Sequence, residues 1–201
     1  MKLYYSPGAC SLSPHIVLEE AGLPYEAIQA SLKTKTLADG SDYRAVNPLG
    51  YVPTLELADG TRLREGPAIV QYLADQAPAK KLAPENGTIA RYQLQGWLNF
   101  TATEIHRNFS PLFNPAVPDD IKQASKQRIL GRLEWVDGEL AGKQFLLGED
   151  FTVADAYLFV VTGWSKPMQL DLSKLTNLVA WRERVAARPA VQAAMKAEGL
   201  S

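Results

Sequence analysis

Leu3-Tyr4-Tyr5-Ser6-Pro7-Gly8-Ala9-Cys10-Ser11-Leu12-Ser13-Pro14, running on into the apolar stretch His15 to Ala21, is the segment on which the fold turns. Leu3 to Tyr5 are aromatic and apolar enough for a strand, Ser6-Pro7-Gly8 breaks it, and Ser11 or Ser13 ahead of Pro14 reads as an N-cap followed by a first-turn proline. The single cysteine, Cys10, therefore sits at or just before a helix N-terminus. Unpaired N–H groups and the positive end of the macrodipole favour an anion there, so a thiolate, that of Cys10 or of a ligand, is stabilised. A free cysteine is also commonly a small buried hydrophobe, and this segment alone leaves both readings open.

Working outward, Gly22-Leu23-Pro24 supplies a C-cap glycine and a stop, and Tyr25 to Gln29 alternates as a half-buried strand does. Strand, helix, strand implies a right-handed parallel crossover. Lys33 and Lys35 lie in a polar loop, Asp42 to Val46 suits a short helix, and Asn47-Pro48-Leu49-Gly50 is a turn. Val52 to Leu57 reads as a strand, Asp59-Gly60 as a hairpin turn, Arg62 to Arg64 as its partner, and Pro67 opens a helix to about Asp75. This β-α-β-α-β-β-α order closes a domain over residues 1–76. Residues 77–87, with Pro78, Pro84 and Asn86-Gly87, carry no apolar periodicity and read as a linker.

Residues 88–201 are helical throughout. Leu94, Leu98, Thr101 and Ile105 form one stripe, and Ile129, Leu133 and Val136 point inward from a second long helix. Thr152-Val153-Ala154-Asp155 has capping-box spacing before the apolar run to Trp164, which is too short to span a bilayer and reads as a buried core helix. Leu178 to Met195, interrupted at Pro189, supplies the last helices.

A chain of 201 residues with 46% hydrophobic composition can bury a real core. Its net charge of -1, from 21 basic and 22 acidic residues, offers no field for a phosphate backbone or an anionic membrane, so neither nucleic acid nor membrane is an expected partner. One cysteine excludes an internal disulfide framework, and with only two histidines, His15 and His106, it falls short of an all Cys/His zinc site, so no metal is expected. After the lone Lys2 the N-terminus is polar and proline-containing where a signal peptide needs a longer apolar stretch. A reducing, cytoplasmic setting is expected.

Four motifs occur in order: Tyr-Ser-Pro-Gly-Ala-Cys-Ser at 5–11, Asn-Pro-Leu-Gly-Tyr-Val-Pro-Thr-Leu at 47–55, Glu65-Gly66-Pro67-Ala68-Ile69 leading into Tyr72-Leu73, and Phe-Thr-Val-Ala-Asp at 151–155. Together they resemble the cytosolic glutathione transferases, and Cys10 with His106 resembles their bacterial beta class. The resemblance implies an α+β fold, a thioredoxin-like domain that holds glutathione followed by an all-α domain with the electrophile pocket, and a homodimer. It makes glutathione the co-substrate, lying in the groove between the halves with its sulfur beside Cys10. Pro53 would be the cis-proline that exposes the Val52 backbone to an extended tripeptide. Glu65 and Gly66 would take the γ-glutamyl ammonium and carboxylate, although many members carry Ser where this chain has Gly66. Lys35 would take the glycyl carboxylate, and Tyr5 lies near the sulfur.

Asn99, Thr103 and His106 follow i, i+4, i+7 spacing on one helix face. The resemblance sets that helix along the groove, so His106 would stabilise the glutathione sulfur or accept its proton near neutral pH, with Asn99, Thr103 and Glu104 as neighbours. Phe109, Phe113, Tyr157 and Trp164 are candidate pocket walls, and His15 is a surface or packing residue. The implied reaction is attack of glutathione thiolate on an apolar or aromatic electrophile, with thiol-disulfide exchange or reductive dehalogenation through Cys10 as further activities. The rival readings are a monothiol, glutaredoxin-like reductase, since residues 10–13 form Cys-x-x-Ser, and a non-catalytic ligand-binding module.

Overall fold

The computed structural model describes residues 1–200. Two compact units emerge, Met1–Ala83 together with Ala187–Ser201, and Pro84–Ala186. The sequence reading placed residues 187–201 with the helical half. They cluster instead with the first unit, because the last helix packs on the first one.

In the first unit a sheet of order β2-β1-β3-β4 is built from Lys2–Tyr5 (β1), Glu26–Gln29 (β2), Thr54–Glu56 (β3) and Arg62–Arg64 (β4). β1 pairs parallel with β2 and antiparallel with β3, and Leu3 lies opposite both Ala27 and Leu55. The parallel pairing matches the crossover expected of a strand-helix-strand unit. β2 is mostly exposed rather than half-buried, because it is the sheet's outer strand. Alternation along β1 separates two cores. Leu3 and Leu55 are fully buried together with Ile16, Val17 and Leu18 of helix α1 (Leu12–Ala21) and Ile69, Val70 and Leu73 of helix α2 (Gly66–Gln76). Tyr4 belongs to a second cluster with Tyr43, Val46 and Val52.

The second unit is helical. Ile89–Phe100 (α3) continues through a π-helical segment, Thr101–His106, into Arg107–Phe113 (α4), followed by Asp119–Glu139 (α5), Val153–Gly163 (α6) and Thr176–Ala186 (α7). Pro189–Ala197 (α8) belongs to the first unit. The expected stripe of Leu94, Leu98, Thr101 and Ile105 is buried, as are Ile129, Leu133 and Val136. α6 is buried from Val153 to Thr162, which suits a helix apolar on every side. Asp155 anchors its start: its carboxylate accepts from Thr152 N–H at 2.9 Å, Leu146 N–H at 2.9 Å and Trp181 Nε1–H at 3.0 Å. The π segment was not foreseen. Its i→i+5 bonds widen the helix, so the simple i, i+4, i+7 face drawn through Asn99, Thr103 and His106 does not hold across it.

Candidate functional site

Each unit carries its own share of the predicted residues. In the first, the chain leaves β1 and turns through Ser6–Ser11 into α1. Ala9 N–H bonds Ser6 O at 3.0 Å and Leu12 N–H bonds Ala9 O at 3.0 Å. The serines read as N-caps do not cap. Ser11 has helical backbone angles and its hydroxyl ties the turn, donating to Ser6 O at 3.2 Å and accepting from Ser6 N–H at 3.1 Å, while Ser13 Oγ donates to Cys10 O at 2.8 Å. The turn is thus fixed by short local bonds, with Cys10 two residues ahead of the first helical residue.

Cys10 Sγ–H donates to Val52 O at 3.3 Å. Burial pushes the thiol up to about 12, with the Glu65 charge acting the same way and the N–H groups of Cys10 and Ser11 acting against it. The thiolate of Cys10 is therefore not the resting species. Desolvation outweighs the helix end, and at neutral pH the residue is an S–H donor.

The Val52–Pro53 bond is cis, as expected. Val52 N–H makes no hydrogen bond among the described residues, and its carbonyl has only the Cys10 thiol. Glu65, at the N-cap of α2, has φ 66° and ψ 114° and makes no side-chain cap bond. A non-glycine residue held there costs on the order of 1–3 kcal/mol; its side chain is exposed and does not cap the helix, and the Gly66 N–H at the start of α2 is open. Lys35 also has positive φ, 60°; its ammonium donates to Gly50 O at 2.9 Å and lies 5.5 Å from the Tyr51 ring centroid.

In the second unit, His106 Nδ1 lies 2.6 Å from the Tyr157 hydroxyl, and its ring meets Trp164 at 4.8 Å between centroids. Trp164 in turn meets Phe109 at 5.5 Å and Phe113 at 5.4 Å. The four residues named as pocket walls thus form one aromatic cluster around His106. Burial lowers the imidazole to about 4. With no ligand beside it, the imidazole is therefore neutral at pH 7. With the imidazole neutral, the Tyr157 O–H donates to Nδ1 when the ring proton sits on Nε2, and the hydroxyl accepts when it sits on Nδ1.

Residues 8–76 match the family described as "Glutathione S-transferase, N-terminal domain", and residues 100–189 match "Glutathione S-transferase, C-terminal domain". BphK, a bacterial glutathione transferase solved as a ternary complex, is 57% identical over 100% of both chains with a TM-score of 0.98. A sphingomonad glutathione S-transferase complexed with glutathione is 46% identical over 100% of both chains, TM-score 0.96. A bacterial beta-class enzyme from Sphingomonas chungbukensis matches at 46% identity over 100% of both chains, TM-score 0.97. The chain belongs to the glutathione S-transferase family. Its class is the bacterial beta class.

Within the first unit of this transferase, Cys10, Val52, Pro53, Glu65 and Gly66 come together: the thiol bonds Val52 O, the Glu65 charge acts on the thiol, and a Cβ added at Gly66 would meet Pro53 Cγ at 4.0 Å. Lys35 joins them through Gly50. Tyr5 does not. Its position on β1 matches that of Leu3, and its buried ring packs 5.6 Å from His15. In the second unit Glu104 is engaged by Arg132 Nε at 2.8 Å, and Thr103 Oγ1 donates to Asn99 O at 3.0 Å, with Asn99 and Thr103 exposed.

Of the two places the sequence reading left open for His15, surface or packing, the structure gives packing, and Glu198 was not singled out at all. His15 is 1% exposed and its Nδ1 lies 2.8 Å from Glu198 Oε1, while Glu198 Oε2 accepts from Gly8 N–H at 3.0 Å. A glutamate at the end of α8 therefore braces the turn that carries Cys10. Nothing in the sequence signals a pair 183 residues apart.

Proposed function

We propose that this transferase joins the glutathione thiolate to an electrophilic carbon of an apolar, often aromatic, molecule. The observation that carries the reading is Val52: an unpaired backbone N–H and a lightly engaged carbonyl, beside a cis-proline and a sulfur donor, suit an extended thiol peptide. On this reading the tripeptide pairs with Val52, its γ-glutamyl ammonium meets Glu65, its γ-glutamyl carboxylate takes the open first-turn N–H of α2, and its glycyl carboxylate takes Lys35. Cys10, neutral at pH 7, donates S–H to the cofactor thiolate. His106 lends Nε2–H in its neutral form, and with a pKa of about 4 it does not keep the thiol proton, which goes to solvent. The thiolate forms the new S–C bond as the leaving group, chloride in a chloroarene, departs with the bonding pair. Phe109, Phe113, Tyr157 and Trp164 supply the apolar wall, and Asn99, Thr103 and Glu104 are neighbouring polar contacts.

The same reading places a homodimer in the cytoplasm; among the described residues no helix is long and apolar enough to cross a membrane. Disulfide exchange through Cys10 follows as a slower second activity, because it draws on the rare thiolate. The test is steady-state turnover of glutathione with a chloronitroarene, beside calorimetric titration of glutathione alone. Saturable turnover with release of one chloride per thioether is expected. Absence of glutathione affinity would sink the reading.

A further inference from the structure

The C-terminal end of α6 faces a cavity that conjugation leaves unused. Arg182, on α7, reaches it: Nη1 donates to Phe159 O at 2.8 Å and to the Thr162 hydroxyl, and the guanidinium lies 4.9 Å from the Phe159 ring centroid. These contacts fix the plane of the group while using one of its three nitrogens. Nε and Nη2 donate to nothing among the described residues, and no carboxylate pairs with Arg182. A guanidinium has five N–H donors in a rigid fork, and holding a partly buried cation without a counter-charge is costly. The carbonyl end of α6 offsets part of that charge. Burial lowers Arg182 to about 10, so it is still a cation at neutral pH.

A second, independent feature lies beside it. Ser165 is 2% exposed and its hydroxyl is buried without a partner. Both residues line a cavity of about 520 Å³ together with Lys166, Leu170 and Leu172. Asp171 lines it too, but that residue is exposed and its carboxylate already accepts from Ser173 N–H at 2.9 Å. Two cations thus face one engaged carboxylate. The space far exceeds the ~30 Å³ that a water occupies in the liquid, so a bare ion would leave the leucine wall uncovered.

We propose that this cavity binds an organic carboxylate with an apolar body. The carboxylate takes the free edge of Arg182 and the Ser165 hydroxyl, and Lys166 adds attraction from the rim. The body lies on Leu170 and Leu172. Guanidinium matches a planar oxyanion with two parallel bonds, which an ammonium cannot do.

The test titrates benzoate, phenylacetate, neutral benzamide and inorganic phosphate into the full chain by calorimetry, with glutathione saturating so that carboxylates are kept off Lys35 and α2. Saturable binding of the two acids is expected, with benzamide and phosphate each at least tenfold weaker. Arg182→Met should weaken the acids roughly 10- to 100-fold, the range for a charge-assisted pair. Ser165→Ala should weaken them about threefold with no loss in Tm, since the hydroxyl it removes bonds nothing in the protein. Should Arg182→Met fail to fold, Arg182→Lys and Ser165→Ala carry the test. No saturation, equal binding of benzamide or phosphate, or full affinity in the folded variants would overturn the assignment.

Discussion

Cys10 and His106 are both held neutral by burial, yet their surroundings are built differently. At Cys10 opposing influences meet: burial and the Glu65 charge raise the thiol to about 12, and the N–H groups of Cys10 and Ser11 pull it down. At His106 burial acts alone and lowers the imidazole to about 4 among Tyr157, Trp164 and their aromatic neighbours. A ligand that pairs with Glu65 removes one of the influences that raise the Cys10 thiol, whereas at His106 no resident charge is there for a ligand to neutralise. The turn around Cys10 is thus suited to answer a ligand, and the ring around His106 to stay as it is.

The largest test of this contrast is Cys10→Ala. Disulfide exchange should fall at least 100-fold, because the reacting sulfur is gone, while conjugation stays within about tenfold of the parent, the scale of a lost hydrogen bond to a charged partner. Rates with a glutathione mixed disulfide and with a chloronitroarene separate the two. Equal loss in both would mean that Cys10 does more than donate S–H. Glu65→Gln comes next. With the charge-assisted partner of the ammonium removed, KM for glutathione should rise roughly 10- to 30-fold, and the Cys10 thiol should move down, since a group opposing its ionisation is gone. Thiolate absorbance against pH reads the second effect.

On the other side, His106→Phe should lower kcat/KM about tenfold by the same factor at every pH from 6 to 8, because the imidazole is neutral throughout that range. A loss confined to one end of the range would show a titrating His106. The same group shapes stability. An unfolded histidine binds its proton near 6.5 and this one near 4, so the unfolded state holds more protons between those values. Stability present above about pH 6.5 should therefore fall by up to about 3 kcal/mol as pH drops toward 4. Denaturant unfolding across that window should show a shallower slope in His106→Phe.

How much of this was legible in the chain depended on distance. The turn at Ser6-Pro7-Gly8, the hairpin at Asp59-Gly60 and the cap at Asp155 are local chemistry, and each formed where its residues indicated. The family motifs carried the cis bond at Pro53, which spacing alone does not distinguish from a trans turn. The π segment at Thr101–His106 left no mark, because one widened turn inside a helix has no periodic signature. The neutral states of Cys10 and His106 were invisible for another reason. A residue's type and neighbours in sequence give the donors around it, and burial, which decides both cases, comes from packing. His15 with Glu198 and Arg182 with Phe159 are contacts of that same kind.

Gly66 gives the smallest effect and bears on the main-chain character of the Cys10 region. It stands at the first residue of α2, where the family often has Ser, and an added Cβ would meet nothing nearer than Pro53 Cγ at 4.0 Å. No positive φ bars a side chain there. Gly66→Ser should therefore fold unchanged and lower KM for glutathione about threefold, through one added hydroxyl bond to the γ-glutamyl carboxylate worth about 0.5–1 kcal/mol. On the proposed reading the gain is small because the Gly66 N–H, the one open donor in the first turn of α2, already takes that carboxylate. A tenfold or larger gain would mean that this donor contributes little, and the helix end would count for less in the balance of influences around Cys10 than the contrast with His106 assumes.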